Sequence, residues 1–305
     1  MNSQIQGSPP KESIRILLSE IIDYAGLFPP SMVSMTEAVS NYAAYKNSTN
    51  SWMLGRFVVP AARLDEFLES AGDFISRDGE NIWRLSVLAG EDINATIRTI
   101  NLFNKSSSSG VICDSLEVKA NTISKIENTV KSLPDGVTAY FEIALNEKLA
   151  ELVSTLALMR QRAKIRTGGV KAEDFPASRD IVRFVRTCSA ANVPFKATAG
   201  LHHPIRCFRP LTYAQNAPRG TMHGFLNTLL MTAFAREKYR ASLLEELMEE
   251  EFEEVFTFHE NAVRWRNESV LTIKHLELLR KRGMISFGSC SFDDPIADLQ
   301  QLGLL

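Results

Sequence analysis

The 305-residue sequence lacks several features that would assign it to a specialised class of protein. Lysine and arginine number 34 against 36 aspartates and glutamates, so no excess of either charge predicts binding to nucleic acid or to an anionic membrane. No apolar run approaches the ~20 residues of a membrane-spanning helix. The four cysteines have no CxxC spacing, which favours reduced thiols over a disulfide framework or a zinc site.

Two further absences narrow the class. The N-terminus is polar and lacks the basic and then apolar layout of a signal peptide, so we expect a cytoplasmic protein. No GxGxxG follows a predicted strand, which disfavours a dinucleotide-binding sheet. The composition that is present, 45% hydrophobic and 23% charged, is that of an ordinary globular chain long enough for one large barrel or for two domains.

From residue 52 onward, strand-like and helix-like segments alternate. The predicted strands are Trp52–Val59, Ile82–Leu88, Gly110–Val118, Val137–Leu145, Ala163–Thr167, Val193–Thr198 and Met284–Gly288. The predicted helices are Leu64–Phe74, Ile93–Phe103, Ala120–Ser132, Glu147–Gln161, Ser178–Ala191 and His223–Tyr239. This repetition of strand and helix predicts an α/β fold of the (β/α)8 TIM-barrel type with seven or eight strands.

The two ends of this repetition leave the strand count open. Val255–Arg266 is compatible with an eighth barrel strand or with a hairpin that turns near His259. Before the first predicted strand, helical spacing predicts two helices, Glu12–Tyr24 and about Thr36–Tyr45. The expected organisation is therefore an N-terminal tail and helical cap over residues 1–50, then a barrel over 51–305 with an insertion around 240–268.

Two of the predicted strands each carry a lysine shortly before a glycine turn. Because side chains alternate along a strand, Lys164 shares a face with Arg166, and Lys196 shares a face with Thr198. Parallel strands place their carboxyl ends together, where barrels bind ligands. We therefore predict that these side chains converge in a ligand site. A shift of one residue in the register would instead turn them toward the helices.

The motifs that contain these lysines are Lys164-Ile165-Arg166-Thr167-Gly168-Gly169 and Phe195-Lys196-Ala197-Thr198-Ala199-Gly200. They resemble the two lysine strands of the class I deoxyribose-phosphate aldolase family, and Ser286-Phe287-Gly288-Ser289-Cys290-Ser291 is similar to the final phosphate-binding turn of that family. The resemblance implies a barrel lyase in which Lys164 forms a Schiff base and Lys196 tunes it. Glu142 or Glu117 would take the place of the proton-shuttling aspartate of the family.

The chemistry of a lysine pair leads to the same expectation without the resemblance. A neighbouring cation disfavours the charged form of an amine, so Lys164, Arg166 and Lys196 are expected to lower one another's pKa. A freed amine attacks carbonyl groups, with Glu142 or His202 moving protons. The expected contacts to a small anionic metabolite are Arg166, Thr198, His203, Arg206, His223 and Ser289. This chemistry needs no cofactor, and none is predicted.

Three other interpretations remain open. One lysine could pair with Glu142 in a buried ion pair that has only a structural role. Alternatively, His202, His203, His223 and Glu142 could form the metal site of a hydrolase or lyase. The barrel could also bind a ligand without catalysis. The sequence predicts no nucleic-acid or membrane partner and leaves a homo-oligomer open.

Overall fold

A computed structural model describes residues 9–76, 81–106 and 110–305 of the chain, so most of the predicted tail, residues 1–8, lies outside the described residues. The strands are β1 Ile22–Tyr24, β2 Leu54–Pro60, β3 Trp83–Leu88, β4 Val111–Lys119, β5 Thr138–Glu142, β6 Arg162–Arg166, β7 Phe195–Thr198, β8 Cys207–Pro210, β9 Arg219–Met222, β10 Phe256–Phe258, β11 Ala262–Trp265, β12 Ser269–Thr272 and β13 Met284–Ser289. The α-helices are α1 Glu12–Leu18, α2 Met35–Lys46, α3 Leu64–Ala71, α4 Ile93–Ser106, α5 Ile123–Ser132, α6 Leu149–Leu158, α7 Ser178–Ala190, α8 Phe225–Arg236, α9 Ala241–Met248, α10 Ile273–Arg282 and α11 Asp293–Gln301.

Eight parallel strands close into a barrel in the order β1-β13-β7-β6-β5-β4-β3-β2. The predicted (β/α)8 barrel is therefore confirmed, and all seven predicted strands belong to it. Amphipathic helices cover the outside of the barrel because their apolar faces need a partner. On α7, for example, Ile181, Val185 and Cys188 are buried against the barrel while the opposite face is exposed.

The strand that closes the barrel lies in the segment interpreted as a helical cap. Ile22–Tyr24 pairs with both β13 and β2, whereas α1 ends at Leu18. The prediction that both N-terminal helices precede the first strand is therefore wrong, because β1 lies between them. Helical spacing of the isoleucines continued into this strand, and a strand of three residues is too short to show its own alternation.

Residues 241–272 add structure outside the barrel, between α8 and α10. This segment contains α9 and the antiparallel sheet β10-β11-β12. Phe256–Phe258 pairs antiparallel with Ala262–Trp265, so the hairpin interpretation of this region is confirmed and the barrel-strand interpretation is wrong. The added segment also explains why α8 is buried on almost its whole circumference: α7, α9 and α10 all contact it.

Strand register brings the charged residues together. Glu142 on β5 is the register partner of Lys164 on β6, and Lys164 is the partner of Lys196 on β7. All three side chains therefore lie at one height and point to the same side of the sheet.

Within the described residues, no helix is long and apolar enough to cross a membrane.

Candidate functional site

Both lysines point into the barrel. Lys164 retains 4% of its accessible surface and Lys196 only 1%. A cavity of about 260 Å³ opens at the carboxyl ends of the strands, and Lys164 lines it together with Glu117, Arg166 and Thr198. Lys196 lies deeper, below the residues that line the cavity. The two amines therefore differ in access, although their residues are register partners.

Lys196 lies in a cluster of buried polar side chains, here called the inner cluster: Asp23, Ser86, Glu117, Lys196 and Ser286. Its Nζ atom is 2.6 Å from Asp23 Oδ2 and 2.6 Å from Glu117 Oε1. The ring of Tyr140 lies beside the amine, with 5.3 Å between Nζ and the ring centre. Burial alone would lower the pKa of Lys196, but the charges of Asp23 and Glu117 outweigh burial and raise the pKa. The prediction that neighbouring cations lower it is therefore wrong for Lys196.

The carboxylate of Asp23 accepts hydrogen bonds from three donors. Its Oδ1 accepts the backbone N–H of Arg56 at 2.8 Å, and its Oδ2 accepts the hydroxyl of Ser286 at 2.8 Å in addition to the ammonium of Lys196. These donors come from β2, β13 and β7, so the carboxylate ties three strands to β1. A buried carboxylate with this many donors is compatible with a folded core.

Glu117 is shared by the two lysines. Its Oε2 atom is 2.7 Å from Lys164 Nζ, while its Oε1 atom also accepts the hydroxyl of Ser86 at 2.6 Å. Burial alone would raise the pKa of this carboxyl, yet the charges of Lys164 and Lys196 hold it well below its usual range. Glu117 is therefore ionised at neutral pH, and it is the carboxylate that separates the two amines.

The upper part of the site, here called the mouth, contains Glu142, Lys164, Arg166, Thr198 and His202. Glu142 Oε2 lies 2.8 Å from Lys164 Nζ. A buried ion pair between Glu142 and one of the lysines was one of the alternatives left open by the sequence. Arg166 Nε is 3.4 Å from Glu142 Oε1, a long contact, and its side chain is 49% exposed. Burial would raise the pKa of Glu142, but Lys164 and, less strongly, Arg166 lower it.

His202 lines the cavity as a neutral imidazole. Burial lowers its pKa to about 4, and the charge of Asp294, 3.9 Å away, only partly opposes this. A second cavity of about 280 Å³ adjoins the first and shares His202 and Pro30 with it. The hairpin β8-β9 forms one side of this second cavity.

Several residues predicted to bind the ligand lie outside the barrel cavity. His203 Nδ1 contacts Asp298 at 2.5 Å, and Arg206 pairs with Glu251 at 2.6 Å. The Nε2 atom of His223 donates to the carbonyl oxygen of Pro176 at 2.8 Å. Ser289 is 2% exposed, and its hydroxyl accepts a long hydrogen bond of 3.4 Å from the backbone of Ser291. Of the predicted contacts, only Arg166 and Thr198 line the cavity beside the lysine.

The predicted histidine metal site is not assembled. His203 and His223 are bonded to different partners, and Glu142 is engaged by Lys164. Among residues 9–76, 81–106 and 110–305, no three His, Cys, Asp or Glu side chains are grouped as metal ligands would be. His202, His203, His223 and Glu142 therefore offer no ligand set to the interpretation of a metal-dependent hydrolase or lyase.

Sequence reasoning missed Asp23, Ser86 and Ser286 as parts of the site. Asp23 was hidden by the helical interpretation of its segment, although an aspartate directly after Ile21 and Ile22 and shortly before Gly26 is unusual in an apolar helix. The two serines carry no sequence signal, because small polar residues occur in every kind of element. Comparison of the sequence with protein-family models and with curated proteins finds no match.

Proposed function

We propose that the protein is an aldolase-like lyase that forms a Schiff base between Lys164 and a small carbonyl metabolite. The observation that carries this proposal is the difference in access between the amines. Lys164 lies at the cavity wall between two carboxylates, and Lys196 is buried below it. A reactive amine needs both a path for the substrate and groups that accept its proton.

The first half of the proposed reaction forms the covalent bond. The ammonium of Lys164 gives a proton to Glu117 or Glu142, both within 2.8 Å of Nζ. The free amine adds to the carbonyl carbon of the substrate, and loss of water from the adduct leaves an iminium ion. Positive charge now lies where the ammonium lay, so the same carboxylates stabilise it.

The second half breaks a carbon–carbon bond. A carboxylate removes the proton from the hydroxyl group on the β carbon, and the bond between the α and β carbons breaks. Its electron pair passes into the iminium to give an enamine, while the β carbon leaves as an aldehyde. The proton returns to the α carbon, and water then hydrolyses the iminium to a carbonyl product and the free amine. Glu117 is placed for the proton transfer, because it lies 2.7 Å from Lys164 Nζ and lines the cavity.

Lys196 supports this chemistry from below as a positioning residue. Its ammonium holds Glu117 Oε1 at 2.6 Å, which leaves Oε2 directed toward Lys164. At the mouth, Arg166 supplies a cation for one acidic group of the substrate. These steps require no redox cofactor, because bond cleavage in this way neither oxidises nor reduces the substrate.

The experiment that tests the proposal is borohydride trapping with a panel of small aldehydes, ketones and keto acids, read by intact mass and peptide mapping. We expect reduction to fix an adduct on Lys164. The Lys164→Met variant should lose this adduct, whereas Lys171→Met, which removes an exposed lysine from the loop beyond the same strand, should keep it.

Two outcomes would argue against the proposal. Labelling that spreads over exposed lysines and leaves Lys164 unmodified would show that this amine is not reactive. Specific binding of a carbonyl compound without any adduct would favour the interpretation of a barrel that binds its ligand but performs no chemistry.

A further inference from the structure

The glycine turns that end the two lysine strands are covered by a side chain of the chain itself. Phe175, in the loop between β6 and α7, packs directly on both turns. A Cβ atom on Gly168 would collide with the ring of Phe175, and one on Gly200 would lie 2.8 Å from it. Glycine turns bind phosphate when the anion approaches their bare backbone N–H groups. Here the ring of Phe175 packs against the Cα atoms of Gly168 and Gly200 and fills the space beside the turns, while Gly169 and Gly200 line the cavity.

Asp174 adds a negative charge at the same turn. Its carboxylate lies so close to Gly169 that a Cβ atom there would collide with it. The Oδ2 atom accepts the backbone N–H of Lys171 at 3.0 Å, which fixes the carboxylate in place, and the residue lines the cavity. A phosphate dianion on this side would face a like charge, whereas a hydroxyl or ammonium group would find a hydrogen-bond acceptor.

Little positive charge is left at the mouth to balance a dianion. The amine of Lys164 is engaged by Glu117 and Glu142, and Arg166 also faces Glu142. His202 is neutral near pH 7. Arg206, which was expected to bind an anionic group, pairs with Glu251 outside the cavity. Among the described residues that line the cavity, Arg166 is the cation left to receive an acidic group, and one guanidinium matches one carboxylate.

We infer that the substrate of the site is a hydroxylated carbonyl compound with at most one carboxylate, not a phosphate ester, and that Asp174 is the residue that determines this choice. Phe175 narrows the space beside the glycine turns, and Asp174, which lines the cavity at Gly169, binds the hydroxyl groups of the substrate. The inference rests on the proposed Schiff-base function for its covalent readout, but exclusion of phosphate can be measured without any reaction.

The covalent test compares two probes that share a carbon skeleton, glyceraldehyde and glyceraldehyde 3-phosphate. Borohydride trapping should label Lys164 with the unphosphorylated probe at least about tenfold more efficiently. In Asp174→Asn, which keeps the acceptor oxygen but loses the charge, this preference should fall by about tenfold. Glu173→Gln, a neighbouring exposed carboxylate, is the matched control and should leave the preference unchanged. Equal or better labelling of the wild-type protein by the phosphate ester would overturn the inference.

The second measurement is titration of the same proteins with inorganic phosphate by calorimetry, and it decides the inference even where neither probe labels Lys164 and the proposed function fails. We expect no phosphate binding to the wild-type protein at 5 mM. A combined Asp174→Asn, Phe175→Ala variant, which widens the space beside the turns and removes the charge, should bind phosphate at least about tenfold more tightly. Two results would contradict the inference. One is phosphate binding to the wild-type protein that an added small carbonyl compound abolishes, and the other is a double variant that binds phosphate no more tightly than the wild type.

Discussion

The inner cluster and the mouth of the barrel contain the same kinds of residue but differ in what their charges can do. In the inner cluster, Lys196 lies between Asp23 and Glu117, and neither its side chain nor theirs is more than 4% exposed. At the mouth, Lys164 is held by two carboxylates as well, yet it lines a cavity, and Arg166 beside it is half exposed. Register alone therefore does not distinguish the two aligned lysines, whereas access to the cavity does.

The inner cluster is unusual for this fold. Barrel interiors are commonly filled by layers of branched apolar side chains. Here two carboxylates and an ammonium stand where such side chains would pack, and each carboxylate also accepts a hydrogen bond from a serine hydroxyl. Buried pairs of this kind contribute little net stability compared with apolar packing. In this barrel the pair holds Glu117 Oε1, while Glu117 Oε2 contacts Lys164 at the cavity.

The largest expected effect is the loss of stability in Lys196→Met. Removal of this amine leaves Asp23 and Glu117 buried, with Asp23 deprived of its counter-charge, and breaking a buried pair from one side costs roughly 3–5 kcal/mol. Urea unfolding followed by circular dichroism at pH 7 measures the change. A loss below about 1 kcal/mol would mean that water reaches the inner cluster and that the contrast with the mouth is false.

Lys164→Met is the matched variant at the mouth. We expect its free energy of unfolding to fall by less than that of Lys196→Met, by about 2 kcal/mol. After this substitution Glu117 still pairs with Lys196, and Glu142 still faces Arg166 near solvent. The same unfolding experiment applies, and the ranking of the two variants is the result of interest. If Lys164→Met is the more destabilised protein, Lys164 has mainly a structural role and the Schiff-base proposal weakens.

These contrasts show how far the sequence could lead. The repeated strands and helices predicted the barrel, because each strand is long enough to show its pattern and each helix has an apolar face. The alternation along β6 and β7 also placed Lys164 beside Arg166 on one face and Lys196 beside Thr198 on one face. That both faces are interior required the register of the closed barrel, which depends on the shortest of the barrel strands, β1.

The anion contacts could not be predicted in the same way. His203, Arg206 and His223 lie close to one another in the sequence, and this proximity suggested that they also lie close together in the site. Their partners are instead Asp298, Glu251 and the carbonyl of Pro176, which tertiary folding brings from distant parts of the chain. Phe175 and Asp174 were equally invisible, because only the folded loop places them on the glycine turns.

Removal of the serine hydroxyl in Ser286→Ala should have a smaller effect than either lysine substitution, about 1.5 kcal/mol. Asp23 Oδ2 would lose one hydrogen bond of 2.8 Å but keep its ammonium partner. Ser86→Ala removes the equivalent hydroxyl from Glu117 and should cost a similar amount. Unfolding free energies of the two variants and of their double mutant measure this. A strongly non-additive double mutant would show that the two carboxylates act as one unit.

Mild acid should weaken the mouth and leave the inner cluster intact. The His202 pKa of about 4 is below the usual value of about 6.5, so burial of the neutral ring stabilises the fold fully above pH 6.5. This contribution is lost as the pH falls from 6.5 toward 4, at most about 1.4 kcal/mol per pH unit. The ionised carboxylate of Glu117 also stabilises the fold, because its pKa is lower in the folded state than the usual value of about 4.3. This contribution is fully present above about pH 4.3 and is lost only as the pH falls further.

Between pH 7 and 5.5 the wild-type protein should therefore lose about 1 kcal/mol more than His202→Gln, which cannot be charged. His259→Gln changes an exposed histidine in the hairpin outside the barrel and should follow the wild type. Urea unfolding of the three proteins at both pH values provides the comparison. Equal losses of unfolding free energy in the wild type and in His202→Gln would show that His202 is hydrated in the folded state. The cavity would then carry an additional cation as the pH falls below neutral. That cation would favour a phosphate ester as the substrate and would count against the inference drawn from Asp174.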